Sequence, residues 1–126
     1  MRIVVHLPFP PSVNHIWRSK AGGSYLSKQY TAWKKLAGQE WLLQKKNQPR
    51  GILGPYSAIL ILAKPDKRRR DLDNCTKAVK DFAVDHGLIE DDSLCQELII
   101  RWCTKEEAPL GAVLTLSAIS SGFTAI

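Results

Sequence analysis

Apolar residues along this chain occur either in short runs of strand length or at helical spacing over longer segments. The short runs, at residues 2–7, 56–64, 95–103 and 112–119, predict four strands. Helical spacing predicts one helix that Ser27 caps and that ends near residue 46, and a second helix over residues 74–87. This order, β-α-β-α-β-β, predicts an α+β fold. It would be a single domain over residues 1–126, with a mixed β-sheet packed against two main helices.

Each predicted helix carries an apolar stripe that should be buried. The stripe of the first helix is Tyr30, Trp33, Ala37 and Trp41, widened by Leu36 and Leu43. The stripe of the second helix is Cys75, Val79, Phe82, Ala83 and His86, and Gly87 follows as a C-terminal cap. We therefore expect both helices to pack on the sheet through these residues.

The connections between these elements carry three further expectations. Residues 8–27 form a long irregular segment rich in Pro, Gly and Ser, and long loops in compact domains tend to be functional or mobile. The continuous apolar run at residues 56–64 is typical of a central strand that is covered on both faces. Residues 104–111 have the length and turn residues of a hairpin between the last two strands.

Charge is distributed unevenly along the chain, which has a formal net charge of +6. Residues 64–80 carry seven basic and three acidic side chains, whereas residues 85–97 carry five acidic side chains and no Lys or Arg. An excess of positive charge in one region favours a polyanionic partner, either nucleic acid or an anionic membrane.

Several classes of protein are disfavoured by the sequence. Three cysteines without CxxC spacing indicate neither a disulfide framework nor a zinc site. No P-loop is present, so we expect no nucleotide cofactor. The apolar run at the N-terminus is too short for a signal peptide and no segment is long enough to span a bilayer. We therefore expect a cytoplasmic protein that does not bind membranes.

The stretch PDKRRRDLDN, residues 65–74, places a basic run directly before two aspartates. In an extended chain, residues two apart point to the same side, so Asp71 and Asp73 can present two carboxylates to one Mg²⁺ ion. Alternatively, Asp73 is only the N-cap of the second helix. Lys77 either forms an ordinary ion pair with Asp73 or stabilises the charge that develops on a phosphate.

A third acidic group follows the second helix in the sequence IEDDS, residues 89–93. Such a run is usually a solvated turn. A carboxylate there would meet Asp71 and Asp73 if the third predicted strand pairs beside the second. Three carboxylates, a lysine and a basic run that grips phosphates would describe a metal-dependent phosphodiester site. The basic run is Lys67, Arg68, Arg69 and Arg70.

Two stretches of the chain carry a resemblance to a known family. LPFPPSVNHIWR near the N-terminus, and RRRDLDNCTKAVKD followed by GLIEDDS, are similar to the RusA family of Holliday junction resolvases. The resemblance implies a small homodimeric endonuclease that cuts four-way junction DNA by paired nicks, in DNA recombination and repair. It also implies Mg²⁺ as the cofactor, for which Mn²⁺ can substitute.

Carried over by position, the resemblance assigns roles to individual residues. The catalytic and metal-binding acids are Asp71, Asp73 and Asp92, and the essential lysine is Lys77. The DNA-binding residues are Asn14, Arg18, Lys67, Arg68, Arg69 and Arg70, and the N-terminal motif also matches at Pro10 and Pro11. Asn74 and Asp91 are supporting residues. The family commonly has an aromatic residue before the acids, where this chain has Leu88 and Ile89, so the choice between Asp91 and Asp92 stays open.

Two other functions stay open on sequence grounds. The protein can be a non-catalytic basic DNA-binding protein in which Asp71 and Asp73 only cap a helix. It can also be a metal-dependent nuclease for other branched DNA. For the homodimer we expect an apolar interface, with Trp102 and the edge strand at residues 112–119 as candidates.

Overall fold

The main sheet has four strands, and its pairing confirms the predicted mixed α+β architecture. The computed structural model describes residues 1–20 and 23–119. Along the chain, the elements are β1 (Arg2–Pro8), β2 (Trp17–Lys20), β3 (Gly23–Leu26), α1 (Lys28–Gln44), β4 (Tyr56–Leu62), α2 (Lys77–Asp85), β5 (Cys95–Trp102) and β6 (Gly111–Ala118). The order across the main sheet is β1-β6-β4-β5. Strand β6 is antiparallel to β1 and β4, whereas β5 is parallel to β4.

The first helix packs on the sheet through the predicted stripe. Ser27 caps it, because its Oγ accepts a hydrogen bond from the backbone N–H of Tyr30 at 3.0 Å. The buried residues of α1 are Tyr30, Trp33, Ala37 and Trp41, as predicted. The prediction that Leu36 and Leu43 widen the buried stripe was wrong, since they are 52% and 77% exposed. These two leucines lie beside the stripe, beyond the width of helix that the sheet covers.

The second helix is shorter than predicted, because Leu72–Cys75 forms a 3₁₀ turn and α2 begins only at Lys77. Cys75, Val79, Phe82 and Ala83 are buried as expected, and Gly87 ends the helix with a φ of 70°. His86 is exposed instead of buried, although its ring packs 4.4 Å from that of Phe82. Among the described residues, no helix is long and apolar enough to cross a membrane.

The segment expected to be irregular contains a hairpin. Strands β2 and β3 pair in antiparallel register, with Trp17 opposite Leu26 and Arg18 opposite Tyr25. The four residues of β3 are all exposed, so the alternation of buried and exposed positions that marks a strand in a sequence is missing here. Ala21 and Gly22, which belong to the same segment, lie outside the described residues.

The last two strands do not form the expected hairpin, because β4 lies between them. Residues 103–110 cross the end of β4 instead, where the N–H of Cys103 donates to the Leu62 carbonyl at 2.8 Å. Eight residues easily span the two strand spacings of about 5 Å each that this crossing requires. Strand β6 is therefore an interior strand, and the expectation that residues 112–119 form an edge was wrong.

Strand β4 is central, but only one of its faces is fully covered. Tyr56, Ala58, Leu60 and Leu62 face the helices and are buried. Residues on the other side are partly open, and Ile59 is 40% exposed. The expectation of burial on both faces was wrong because both helices pack against the same side of the sheet. We refer to the other side as the open face.

The outer edge of β1 is covered by amide side chains from the end of α1. The Gln44 amide pairs with the backbone of His6, accepting from its N–H and donating to its carbonyl, both at 2.8 Å. Gln48 accepts from the N–H of Val4 at 3.1 Å. These contacts satisfy edge groups that would otherwise be free to pair with another chain.

Replacing the amide that covers this edge should destabilise the protein. Gln44→Leu leaves two backbone groups of His6 without partners, and we expect a loss of about 1–3 kcal/mol in the free energy of unfolding. Chemical denaturation measures the difference. The matched control, Gln39→Leu on the exposed side of the same helix, should change stability little. Equal effects of the two substitutions would contradict this role of Gln44.

Candidate active site

A groove of about 640 Å³ lies where the segment after β1 meets the segment after β4. Both strands end at the same edge of the sheet, because Leu7 and Leu62 each pair with Ala112 of the antiparallel strand between them. The lining residues that the sequence singled out are Pro10, Pro11, Asn14, Arg18, Arg68, Arg69, Arg70, Asp71 and Asn74. The two motifs that carried the family resemblance therefore form one surface.

The basic run is organised by an aspartate that sequence reasoning passed over. Asp66 accepts hydrogen bonds from Nε and Nη2 of Arg68 at 3.1 and 3.0 Å, and from Nη2 of Arg70 at 2.9 Å. The hydrogen bonds from Arg68 lower the pKa of Asp66 to about 2. The spacing i, i+2 and i+4 is a signal that could have identified this cluster.

Arg70 is the most enclosed arginine of the run. Its side chain is 24% exposed, and its guanidinium carbon lies 5.2 Å from the centre of the Phe9 ring. Phe9 in turn stacks on Trp102 with 6.3 Å between ring centres. The Nε of Arg70 is buried without a hydrogen-bond partner among the described residues. Packing on aromatic rings therefore fixes the position of this arginine at the groove wall, while Lys67 stays exposed outside the lining.

The two predicted metal-binding aspartates are exposed, and neither caps α2. Asp71 has extended backbone and begins the 3₁₀ turn Leu72–Cys75, which contains Asp73. The premise of an extended chain through both residues was therefore wrong. Neither carboxylate forms a hydrogen bond or ion pair with a described residue, because the interactions of this turn use the backbone carbonyls. The reading of Asp73 as a helix N-cap is contradicted, since Thr76 occupies that position.

The two aspartates act together on a buried thiol. Burial raises the pKa of the Cys75 thiol, and the negative charges of Asp73 and Asp71 raise it further, while Arg70 opposes them. The Cys75 thiol also donates a hydrogen bond to the Asp71 carbonyl at 3.7 Å. Both carboxylates therefore raise the pKa of the same thiol, although only Asp71 lines the groove.

The neighbouring acids Asp91 and Asp92 have different surroundings. Asp91 caps the 3₁₀ turn Asp92–Leu94, where its carboxylate accepts from the N–H of Ser93 at 3.4 Å and from its hydroxyl at 2.9 Å. These bonds lower the pKa of Asp91. Asp92 points towards α2, and its Oδ1 lies 2.8 Å from Nζ of Lys80. Asp91 is therefore occupied as a cap, whereas Asp92 is paired with a lysine of α2.

The predicted lysine is engaged elsewhere. Nζ of Lys77 forms an ion pair with Asp81 at 3.0 Å, one helical turn further on, and not with Asp73. Lys80, which sequence reasoning did not single out, contacts a predicted site residue directly. No spacing rule identifies Lys80, because its partner Asp92 is brought close only by the crossover from β4 to β5.

The pairing of β5 beside β4 confirms the condition under which the third acid could approach the first two. In residues 1–20 and 23–119, however, no three His, Cys, Asp or Glu side chains are grouped closely enough to hold a metal ion. Asp71, Asp73 and Asp92 all lie on the connection between β4 and β5, but they do not form a finished ligand set. Their assignment as metal ligands stays a prediction.

The β2–β3 hairpin adds exposed groups beside the groove. Arg18 lines the groove, and Tyr25, its cross-strand neighbour, is 45% exposed. Trp17, on the other face of the hairpin, is 58% exposed. The sequence marked Arg18 alone, since aromatic residues in a segment expected to be irregular carried no periodic signal.

Comparison with known proteins agrees with this geometry. The family model described as Endodeoxyribonuclease RusA matches residues 8–113, which span both groove motifs and all the predicted acids. The crossover junction endodeoxyribonuclease rusA of Enterobacteria phage HK97 is 30% identical over 110 residues, covering 86% of this chain and 90% of that protein. Proteins of the same name from Escherichia coli and Enterobacteria phage 82 are each 30% identical over 89 residues, which cover 71% of this chain and 72% of theirs. This chain belongs to the RusA family of endodeoxyribonucleases.

The cluster around Asp66 makes a testable prediction. The Asp66 carboxyl should titrate with a pKa of about 2, below its ordinary 3.8, so its stabilising effect is present above pH 4 and disappears as the pH falls towards 2. Carboxyl carbon NMR shifts measure this titration. In Arg68→Ala the pKa should return towards its ordinary value, whereas Arg69→Ala, which removes a neighbouring arginine without a bond to Asp66, should leave it low. A pKa unchanged by Arg68→Ala would contradict the assignment.

Proposed function

We propose that this protein is a structure-selective endonuclease that resolves Holliday junctions by paired phosphodiester nicks, in DNA recombination and repair. The observation that carries the proposal is the groove, because it joins the N-terminal motif and the basic run to Asp71 on one surface. Its relatives named crossover junction endodeoxyribonuclease support the same substrate. The experiment that tests it is a nicking assay on a synthetic four-way junction with linear duplex as competitor. Equal cleavage of linear duplex would contradict the proposed structure selectivity.

The groove residues divide naturally into two sets that contact the DNA backbone. Arg68, Arg69 and Arg70 supply guanidinium groups that suit phosphate oxygens, with Lys67 beside them at the rim. Asn14 and Arg18 face them from the N-terminal segment. Phosphate contacts of this kind hold a duplex in place without reading its sequence, which fits recognition of a branched shape.

The donors on the crossover suit a divalent cation such as Mg²⁺, or Mn²⁺ in its place. Asp71 and Asp73 are carboxylates without partners among the described residues, and the Asp92 carboxylate is half exposed with Lys80 on one of its oxygens. Hard oxygen donors are the ligands that Mg²⁺ prefers. Asp71, Asp73 and Asp92 would hold the ion. When bound, such an ion supplies an activated water and offsets the charge on the phosphate.

The remaining residues would position the DNA and balance charge. Lys77 lies two residues after the 3₁₀ turn that holds Asp73, and its half-exposed side chain can turn from Asp81 to a phosphate oxygen. Asn74 lines the groove, and its N–H donates to the Asp71 carbonyl at 3.2 Å, which holds the turn closed. Asp91 supports the site by capping the turn that carries Asp92.

The role of the three acids in cleavage should be separable from DNA binding. Asp71→Asn, Asp73→Asn and Asp92→Asn should each lower the rate of junction cleavage by about a hundredfold or more, because metal-held charge stabilisation is worth several kcal/mol. Junction affinity should persist, since neutralising an acid removes repulsion from phosphates. Asp85→Asn, an exposed acid near the end of α2, is the control and should cut normally. Normal cutting by two of the three site variants would contradict the metal assignment.

The arginine run should supply a salt-sensitive share of the affinity. Replacing Arg68, Arg69 and Arg70 by Ala should lower the slope of log K against log salt by about three units, since each lost phosphate contact contributes about 0.9. The control variant Lys35→Ala/Lys45→Ala/Lys46→Ala removes the same charge from the α1 region. Electrophoretic shift assays across a salt series compare the two. Identical slopes for both variants would mean that the arginines contribute only net charge.

We further propose that two copies of the chain pair through the open face of the sheet. Val4, Thr115, Ile59 and Ile99 form one row across its four strands, and Ile59 and Ile99 are 40% and 44% exposed. The interface expected from the sequence differs from this one: β6 is paired on both sides and offers no free edge, and Trp102 is half buried against Phe9. Two nicks on a symmetric junction require two copies of a site that each chain supplies once.

Sedimentation at micromolar concentration tests this dimer. The wild-type protein should sediment at twice the 14.1 kDa of the chain. Ile59→Glu should shift the mass towards that of a monomer, because it places a charge in the centre of the apolar row. Leu43→Glu, which charges a more exposed leucine on α1, should leave the dimer intact. A wild-type monomer that still makes paired nicks would contradict the proposal.

A further inference from the structure

Lys80 is the one lysine in the described part of the chain that directly contacts a predicted metal-binding acid. Its Nζ lies 2.8 Å from Oδ1 of Asp92, and its side chain is only 23% exposed. The aliphatic part of Lys80 lines a narrow apolar slot between α2 and the sheet, together with Tyr56 and Leu98. The ammonium is therefore held at Asp92 by packing of its stem, as well as by charge.

Asp92 is fixed on the same side by a second contact. The Tyr56 hydroxyl donates to the Asp92 backbone carbonyl at 3.4 Å, and Tyr56 is buried at the start of β4. Within the Asp92 carboxylate, Oδ1 is buried whereas the side chain as a whole is 46% exposed. One oxygen thus faces Lys80, and the exposed area of the side chain lies away from it.

The other predicted site acids differ from Asp92 in their partners, and this difference indicates the role of the ion pair. Asp71 and Asp73 have no partners among the described residues, and Asp91 is occupied as a cap. No three acidic side chains in the described residues are grouped for a metal ion. Bringing three free carboxylates to one point would make them repel one another strongly, and Lys80 keeps one of the three charges neutralised while no metal ion is bound. Asp92 is the only one of the three predicted ligands that carries such a partner in the described structure.

We propose that Lys80 is a resident counter-ion of Asp92 that a divalent cation must displace to complete its site. The inference rests on the proposed metal-dependent function. It adds that Lys80 competes with the metal ion for Asp92. In the metal-free protein, Lys80 neutralises Asp92 and keeps it turned towards α2. A cation held by Asp71 and Asp73 would have to displace the ammonium from Asp92, so breaking the ion pair would weaken its binding.

The proposal predicts opposite effects on two measurable properties. Removing the ammonium should lower the melting temperature of the metal-free protein, because Oδ1 of Asp92 is left buried without a cation. The same change should tighten metal binding by about three- to tenfold, since the competing ion pair is partly exposed and therefore of modest strength. A lysine that only orients Asp92 towards the metal would have the opposite effect on affinity.

The test measures Mn²⁺ affinity from the electron paramagnetic resonance signal of free Mn²⁺, and the melting temperature without and with MnCl₂. The variants are Lys80→Met, Lys80→Gln and Lys80→Arg, compared with Lys77→Met. The Gln variant keeps a hydrogen-bond donor for Asp92 and serves if the Met variant does not fold. Lys77→Met removes one positive charge from the same helix without touching Asp92, so it measures the through-space effect of charge. Asp71→Asn reports on the metal site itself.

Tighter Mn²⁺ binding in Lys80→Met or Lys80→Gln, exceeding that in Lys77→Met, supports the proposal if Lys80→Arg stays near wild type. Unchanged or weaker binding in both neutral variants overturns it. An increase no larger than that of Lys77→Met also overturns it, because net charge would explain the result. If Asp71→Asn binds Mn²⁺ as well as wild type, the metal site is wrong and the inference falls with it. If Asp71→Asn loses binding while the Lys80 variants do not differ, only the role of Lys80 is wrong.

Discussion

The position of β6 between β1 and β4 is the constraint on which the rest of the structure depends. Because β6 is antiparallel to both neighbours, β1 and β4 run in the same direction and end at the same edge of the sheet. The segments that follow them must leave from that edge, and they meet in the groove. A hairpin between β5 and β6 would have placed β6 outside β5 and separated the two motifs. The stacking of Phe9 on Trp102 ties the ends of β1 and β5 across this edge.

The parallel pairing of β4 and β5 has a second consequence. Parallel neighbours need a crossover connection, and in this chain that connection holds α2, the basic run and every predicted acid. Several charged side chains on this connection form ion pairs with specific partners. Asp66 engages Arg68 and Arg70, Lys80 engages Asp92, and Lys77 engages Asp81. Asp71 and Asp73 have no hydrogen-bonding or ion-pair partner among the described residues, so their carboxylates are available to a cation.

The sequence predicted elements and caps well, because local rules decide them. The stripe from Tyr30 to Trp41, the Ser27 cap and the glycine after α2 all follow from spacing and backbone preference. Pairings between distant strands are not encoded locally, which explains the wrong hairpin and the wrong edge strand. The β2–β3 hairpin was missed because its residues are exposed and lack a buried face. The predictions for Leu36, Leu43 and His86 failed because the width of the covered helix face depends on the sheet beneath it.

The candidate site likewise contains residues that the sequence predicted and residues that it did not. Family resemblance identified the groove residues Arg70, Asp71 and Asn74, whose local motif is distinctive. Side-chain partners set by tertiary packing, above all Lys80 with Asp92, had no signal in the sequence. Extended geometry for Asp71 and Asp73 was a reasonable default, but the 3₁₀ turn replaced it because Asn74 closes back on the Asp71 carbonyl at 3.2 Å.

The central proposal is that Asp71, Asp73 and Asp92 together hold one metal ion beside the groove, and paramagnetic NMR tests it most directly. Substoichiometric Mn²⁺ added to ¹⁵N-labelled protein broadens amide signals near the bound ion. We predict simultaneous broadening around Asp71, Asp73 and Asp92, with the signals of Lys45–Asn47, at the end of α1 far from the groove, unaffected. Broadening centred on Asp66, or on Asp92 without Asp71 and Asp73, would contradict the claim.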